Sequence, residues 1–144
     1  MMHNTKGISG SMRHAKHFHK DLYSKWHRIF SDIAMVDVDS VECCQNKGCW
    51  KPLALIETVY DTGNYVKYTN VLYQLAETCN LPAYLVFYKP KDPNDEDLVM
   101  EFKVKRIYPL SDRLRTISEA VWVRYLRMLQ SEHQRICKHG KNKV

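Results

Sequence analysis

The sequence predicts an α/β fold, a small mixed β-sheet of about four strands flanked by helices. Three observations point there. Runs rich in β-branched residues alternate with apolar stripes at helical spacing. The 144 residues suit one domain with a buried core. Hydrophobic residues make up 44% and charged residues 26%, ordinary for a globular chain, so extensive disorder is not expected.

The elements follow in order. Phe18, Leu22, Trp26 and Phe30 recur every four residues, which predicts a helix from His14 to Phe30 with Lys16, Lys20, Lys25 and Arg28 on its polar surface. Ile33 to Cys44 reads as a first strand, with Val36 and Val38 facing one way and Asp37 and Asp39 the other. The Gln45-Asn-Lys-Gly48 turn leads to a second strand, Pro52 to Tyr60. The short connection makes it antiparallel to the first, and its two apolar faces make it central. Asp61-Thr-Gly-Asn64 breaks that strand. Val71, Leu72, Leu75, Ala76 and Cys79 then draw a helical stripe ended by Asn80. Ala83 to Tyr88 is a third strand, parallel to the second through the helical crossover. Leu98 to Tyr108 is a fourth, and its polar face suggests an edge. A long helix runs from Thr116 to about Cys137, with Ile117, Val121, Tyr125, Met128 and Leu129 as its buried stripe. Trp26, Trp50 and Trp122 are expected as core anchors. Residues 1–12 read as a flexible arm or a cloning remnant, 13–138 as a single domain and 139–144 as a basic tail.

No apolar run approaches the roughly 20 residues of a membrane helix, and the first twelve residues lack a signal peptide's apolar region. The expected location is the cytoplasm, with no membrane partner. The five cysteines then fit reduced thiols better than disulfides. The net charge of +6 is unevenly spread: +5 over residues 1–30, −6 over 31–100 and +7 over 101–144. An acidic centre between basic ends points to an anionic partner held by the ends and presented to carboxylates. Lys16, Lys20, Arg28, Arg113, Arg115, Arg124 and Arg127 are the candidate nucleic-acid contacts.

Asp37, Asp39 and Glu57 stand on adjacent expected strands. An unpaired buried carboxylate is costly, so such residues usually have a partner or a task. Two strands that aim carboxylates at one point offer the hard oxygen ligands Mg²⁺ favours. The plain alternative is that both aspartates face solvent and Glu57 pairs with a lysine. Glu57 weighs against that, because it interrupts the most apolar strand.

Helix, strand with Asp, strand with Pro-Leu-Ala-Leu-Ile-Glu57, helix and strand together resemble the PD-(D/E)xK nuclease superfamily over residues 14–108. The resemblance implies a restriction-endonuclease-like core and a Mg²⁺-dependent endonuclease, with Mn²⁺ as an acceptable substitute. DNA is favoured over RNA, and a homodimer cutting both strands is allowed. Asp39, or Asp37 beside it, would match the family Asp, and Glu57 the family acid. Glu42 would be an extra ligand, and Asp21 an assisting acid in the first helix. The family lysine is missing, since Val59 stands two residues after Glu57. In some members that lysine comes from the following helix, which makes Lys67 its candidate here, ahead of Lys51 at the far end of the strand. The alternative is an inactive module on this fold that binds nucleic acid, or inhibits or recruits a nucleic-acid enzyme.

Other chemistry fits less well. Cys43, Cys44 and Cys49 lack the paired spacing of a zinc site and read as thiols at a strand end. His14, His17 and His19 read as part of a solvated basic patch. No phosphate-binding glycine loop is present.

Overall fold

A computed structural model describes residues 22–94, 96 and 98–140. The chain divides into two compact units, Met1–Asp37 and Val38–Val144. The expected contacts Lys16 and Lys20, the acid Asp21, and His14, His17 and His19 lie outside the described residues.

In the first unit, residues 22–27 are helical. Trp26 packs at 5.5 Å from Tyr23 and 5.4 Å from Phe30, ring centre to ring centre. The tryptophan is nonetheless half exposed.

The second unit is an open mixed sheet of five strands. These are β1 (Ser40–Cys43), β2 (Pro52–Tyr60), β3 (Ala83–Pro90), β4 (Met100–Tyr108) and β5 (Leu114–Ser118), lying in that order. β2 and β3 are parallel, and the other neighbours are antiparallel. Helix α1 (Asn70–Cys79) makes the crossover between the parallel pair, and α2 (Glu119–Gln134) follows β5.

β2 and β3 are apolar on both faces because both faces are covered. On one, Leu55, Leu85 and Phe87 pack with Leu72 and Ala76 of α1. On the other, Ile56, Val86 and Val104 pack with Trp122 of α2. Asn80 ends α1 in the left-handed conformation, φ 53°, that Asn tolerates better than most residues. The Ser118 hydroxyl caps α2 by accepting from Val121 N–H.

The structure corrects the sequence expectations at five places. The first strand is only Ser40–Cys43, not Ile33–Cys44. The antiparallel ladder stops at Ser40–Ile56, and Asp39 Oδ2 accepts from Thr58 N–H at 3.0 Å. A side-chain oxygen thus takes a strand N–H that a backbone carbonyl would otherwise receive. A fifth strand exists, so β4 is interior and β5 is the edge. With two polar residues and one arginine among its five, β5 shows no apolar run, as suits an edge strand. The last helix therefore starts at Glu119 rather than Thr116. Its buried positions are Trp122 and His133, whereas Val121 and Met128 are 44% exposed. Of the expected tryptophan anchors only Trp122 is buried, with Trp50 61% exposed. Among the described residues no helix is long and apolar enough to cross a membrane.

Candidate functional site

Glu57 projects from β2 on the same face as Leu55 and Val59, the face packed by α1. Its side chain is only 13% exposed. The segment between β2 and α1 folds back over this face. Asx turns shape it: Asp61 Oδ1 accepts from Gly63 N–H and Asn64 Oδ1 from Val66 N–H. Gly63 sits at φ 89°, which a side chain would resist. The turns carry Lys67, three residues before α1, onto Glu57, where its ammonium forms an ion pair with Oε1. Tyr65 packs edge-on against Phe87, ring centres 5.0 Å apart.

Next to this pair lies a second polar group. Lys103 Nζ donates to Tyr65 Oη at 2.6 Å, and that bond raises the lysine's proton affinity. Asp61 is buried. Burial pushes its carboxyl up, but the Gly63 N–H, the Tyr65 hydroxyl and the charges of Lys89 and Lys103 bring it below its ordinary value. Glu57, Asp61, Tyr65, Lys67 and Lys103 therefore gather toward the carboxyl ends of the parallel strands, where open α/β sheets place their ligands.

Asp39 immediately precedes β1 and is exposed. Its Oδ2 accepts from both Thr58 N and Thr58 Oγ1. Among the described residues, Asp39 Oδ1 and Glu57 Oε2 take no hydrogen bond. A carboxylate oxygen without a protein donor is the hard kind of ligand that Mg²⁺ takes. The cluster of potential metal ligands found among the described residues includes neither Asp39 nor Glu57. Glu42 pairs with Ala54, so alternation turns it to the Ile56 face, away from Glu57. Asp37 belongs to the first unit, where it lines a groove with His27 and Arg28.

The opposite face of the sheet holds a cavity of about 270 Å³ under α2. Arg106, Arg113 and Arg115 line it, with Tyr84, Trp122 and Tyr125 as an aromatic wall. The Tyr84 and Tyr125 hydroxyls bond to each other. Burial, then that bond, keeps the Tyr125 proton on well above its usual range. Arg124 and Arg127 are exposed along α2.

Sequence reasoning proposed Glu57 and Lys67 for one site, and the structure pairs them. Asp37 and Asp39 are both exposed, so the arrangement also matches the plain alternative in which the aspartates face solvent and Glu57 pairs with a lysine. Sequence reasoning missed Thr58, Asp61 and Lys103, and it treated the Asp61–Asn64 segment only as a strand break. The Asp-x-Gly and Asn-x-Val pairs in that segment were the signal that the chain turns back across the sheet. Comparisons with protein families, with curated proteins and with solved structures find no match to this chain.

Proposed function

We propose that this chain is a Mg²⁺-dependent nuclease-like protein that hydrolyses phosphodiester bonds in DNA, built on a restriction-endonuclease-like core. In this reading Lys67 stands in for the lysine absent at Val59. The observation that carries the proposal is the meeting of Lys67 with Glu57 on β2, one residue before Thr58, which donates to the Asp39 carboxylate. An ion pair by itself would serve equally to fasten the segment before α1. Asp39, held by the residue after Glu57, is the second carboxylate this reading requires.

Asp39 and Glu57 would hold Mg²⁺, or Mn²⁺ in its place, and the bound ion supplies a Lewis acid for the phosphate and a more acidic water. The chain's own residues do the rest. The Glu57 carboxylate accepts a hydrogen bond from the attacking water and orients it. The Lys67 ammonium, released from Glu57 as a phosphate arrives, bonds a non-bridging oxygen and offsets the charge that builds there. Thr58 keeps Asp39 in place through both of its donors.

A second reading has its own support. The arginine-lined cavity lies on the face opposite Glu57, so these arginines and Glu57 do not share a surface. This favours a module that binds nucleic acid without cutting it. Incubating plasmid, linear and single-stranded DNA and structured RNA with Mg²⁺ or Mn²⁺ separates the two readings. The nuclease reading expects metal-dependent cleavage that disappears in Glu57→Ala and Asp39→Asn while both variants keep their fold by circular dichroism. Binding without cleavage of any substrate in either metal selects the module.

A further inference from the structure

The turn between β1 and β2 is unusually well specified. Cys44 N–H donates to Lys51 O at 2.8 Å and Cys49 N–H to Asn46 O at 3.0 Å. Gly48 takes φ 87°, and a Cβ there would stand 3.2 Å from His139 Cδ2. Trp50 follows at φ 51°. This tight knuckle turns the Cys44 and Cys49 sulfurs to the same side.

The end of α2 supplies the other half. His133 sits in its last turn, and the N–H groups of Ile136 and Cys137 both donate to His133 O. The backbone thus coils once more, and His133 and Cys137, four apart, share a face.

The two halves meet. The ligand atoms of Cys44, Cys49, His133 and Cys137 all lie within 4.8 Å of one another. Cys44 Sγ is 3.9 Å from Cys137 Sγ, and Cys49 Sγ is 3.3 Å from His133 Nε2. Tetrahedral Zn²⁺, with Zn–S near 2.3 Å and Zn–N near 2.0 Å, sets sulfurs about 3.8 Å apart and sulfur from nitrogen about 3.5 Å apart. A disulfide would use two of these sulfurs and leave the third thiol and the imidazole unexplained.

The surroundings suit thiolates. Asn46 N–H points at Cys44 Sγ at 3.5 Å, Asn46 Nδ2 at Cys137 Sγ at 3.1 Å, and Gln134 Nε2 at Cys44 Sγ at 3.8 Å. A neutral thiol is a weak acceptor, whereas a metal-bound thiolate is routinely steadied by such outer donors. Asn46 and Gln134 are themselves tied, Nδ2 to Oε1, at 2.8 Å. Cys44 and Cys137 are buried, and His133 is 8% exposed.

We propose that Cys44, Cys49, His133 and Cys137 form a structural Zn²⁺ site. Four protein ligands close the coordination sphere, so the ion binds no substrate and takes no part in cleavage. Three sulfurs and one imidazole select zinc over the oxygen-seeking Mg²⁺. The ion staples the β1–β2 turn to the end of α2, across about ninety residues of chain. The two pairs, Cys44-x₄-Cys49 and His133-x₃-Cys137, were visible in the sequence. They were overlooked because the cysteines at the turn were compared only with the histidines near the start of the chain.

The test uses the full chain, grown with zinc and purified under reducing conditions without chelator. Elemental analysis is expected to find about one zinc per chain. Replacement by Co²⁺ is expected to give the intense visible bands of tetrahedral thiolate-bound cobalt. Cys49→Ser, at a half-buried ligand, is expected to lose the zinc, and Cys79→Ser, at an exposed cysteine outside the cluster, to keep it. Chelation of the wild type is expected to lower its melting temperature, with recovery on adding Zn²⁺ but not Mg²⁺. Metal-free protein with no tetrahedral cobalt spectrum overturns the assignment. So does a Cys49→Ser variant that holds zinc as the wild type does.

Discussion

Asp61 shows how much a single residue in this site depends on its surroundings. Buried carboxylates are raised by desolvation, yet here the Gly63 N–H, the Tyr65 hydroxyl and two lysines outweigh burial and leave the group below its usual value. A depressed carboxyl contributes stability that is fully present above its unfolded pKa, about 3.9, and is lost as pH falls through the folded value. Asp61→Asn is therefore expected to be less stable than wild type at neutral pH, with the gap closing in acid. Urea unfolding from neutral to acid pH checks this, and a gap that stayed constant in acid would contradict it. At this scale the sequence was legible for Glu57, because a carboxylate in an apolar strand stands out. It was not legible for Asp61 or Lys103, whose roles come from a segment that folds back over the sheet. Nor was it legible for His133 and Cys137, which reach the β1–β2 turn only through tertiary structure.

Elements with their own punctuation were readable, and those shaped by neighbours were not. Pro52–Tyr60 and Ala83–Pro90 are apolar on both faces and stand out as interior strands. Asn80 ends α1 where the sequence ended its helical stripe, and it does so in the left-handed conformation. β1 was overestimated because the alternation from Ile33 onward is a property of the sequence alone, while the ladder's end is set by the Asp39 carboxylate on Thr58. β5 was missed because an edge strand needs no apolar run. Ser118, which ends β5 and caps α2, is a direct check on that boundary. Ser118→Ala is expected to cost about 1 kcal/mol in chemical denaturation, the usual loss for a helix cap. A variant as stable as wild type would place the helix start elsewhere.

At the scale of the molecule, the charge pattern of the sequence finds a partial counterpart in the second unit. Arg113 and Arg115 line a cavity under α2, on the face opposite Glu57. If nucleic acid neutralises both, replacing them with Ala should lower the slope of log affinity against log salt by about 1.8, near 0.9 for each phosphate contact on duplex DNA. Titration of a labelled duplex over a range of salt measures that slope, and an unchanged slope would remove these arginines from the interface. The central claim concerns Glu57, paired with Lys67, and Asp39, held by the neighbouring Thr58. It is tested most directly by the rate at which Lys67→Ala nicks supercoiled plasmid in Mg²⁺, relative to wild type. The account predicts that wild type nicks and that Lys67→Ala is slower by about 100-fold or more, the scale of a single group acting on developing charge. Wild-type protein that leaves the plasmid intact, or a Lys67→Ala variant that nicks at the wild-type rate, would contradict it.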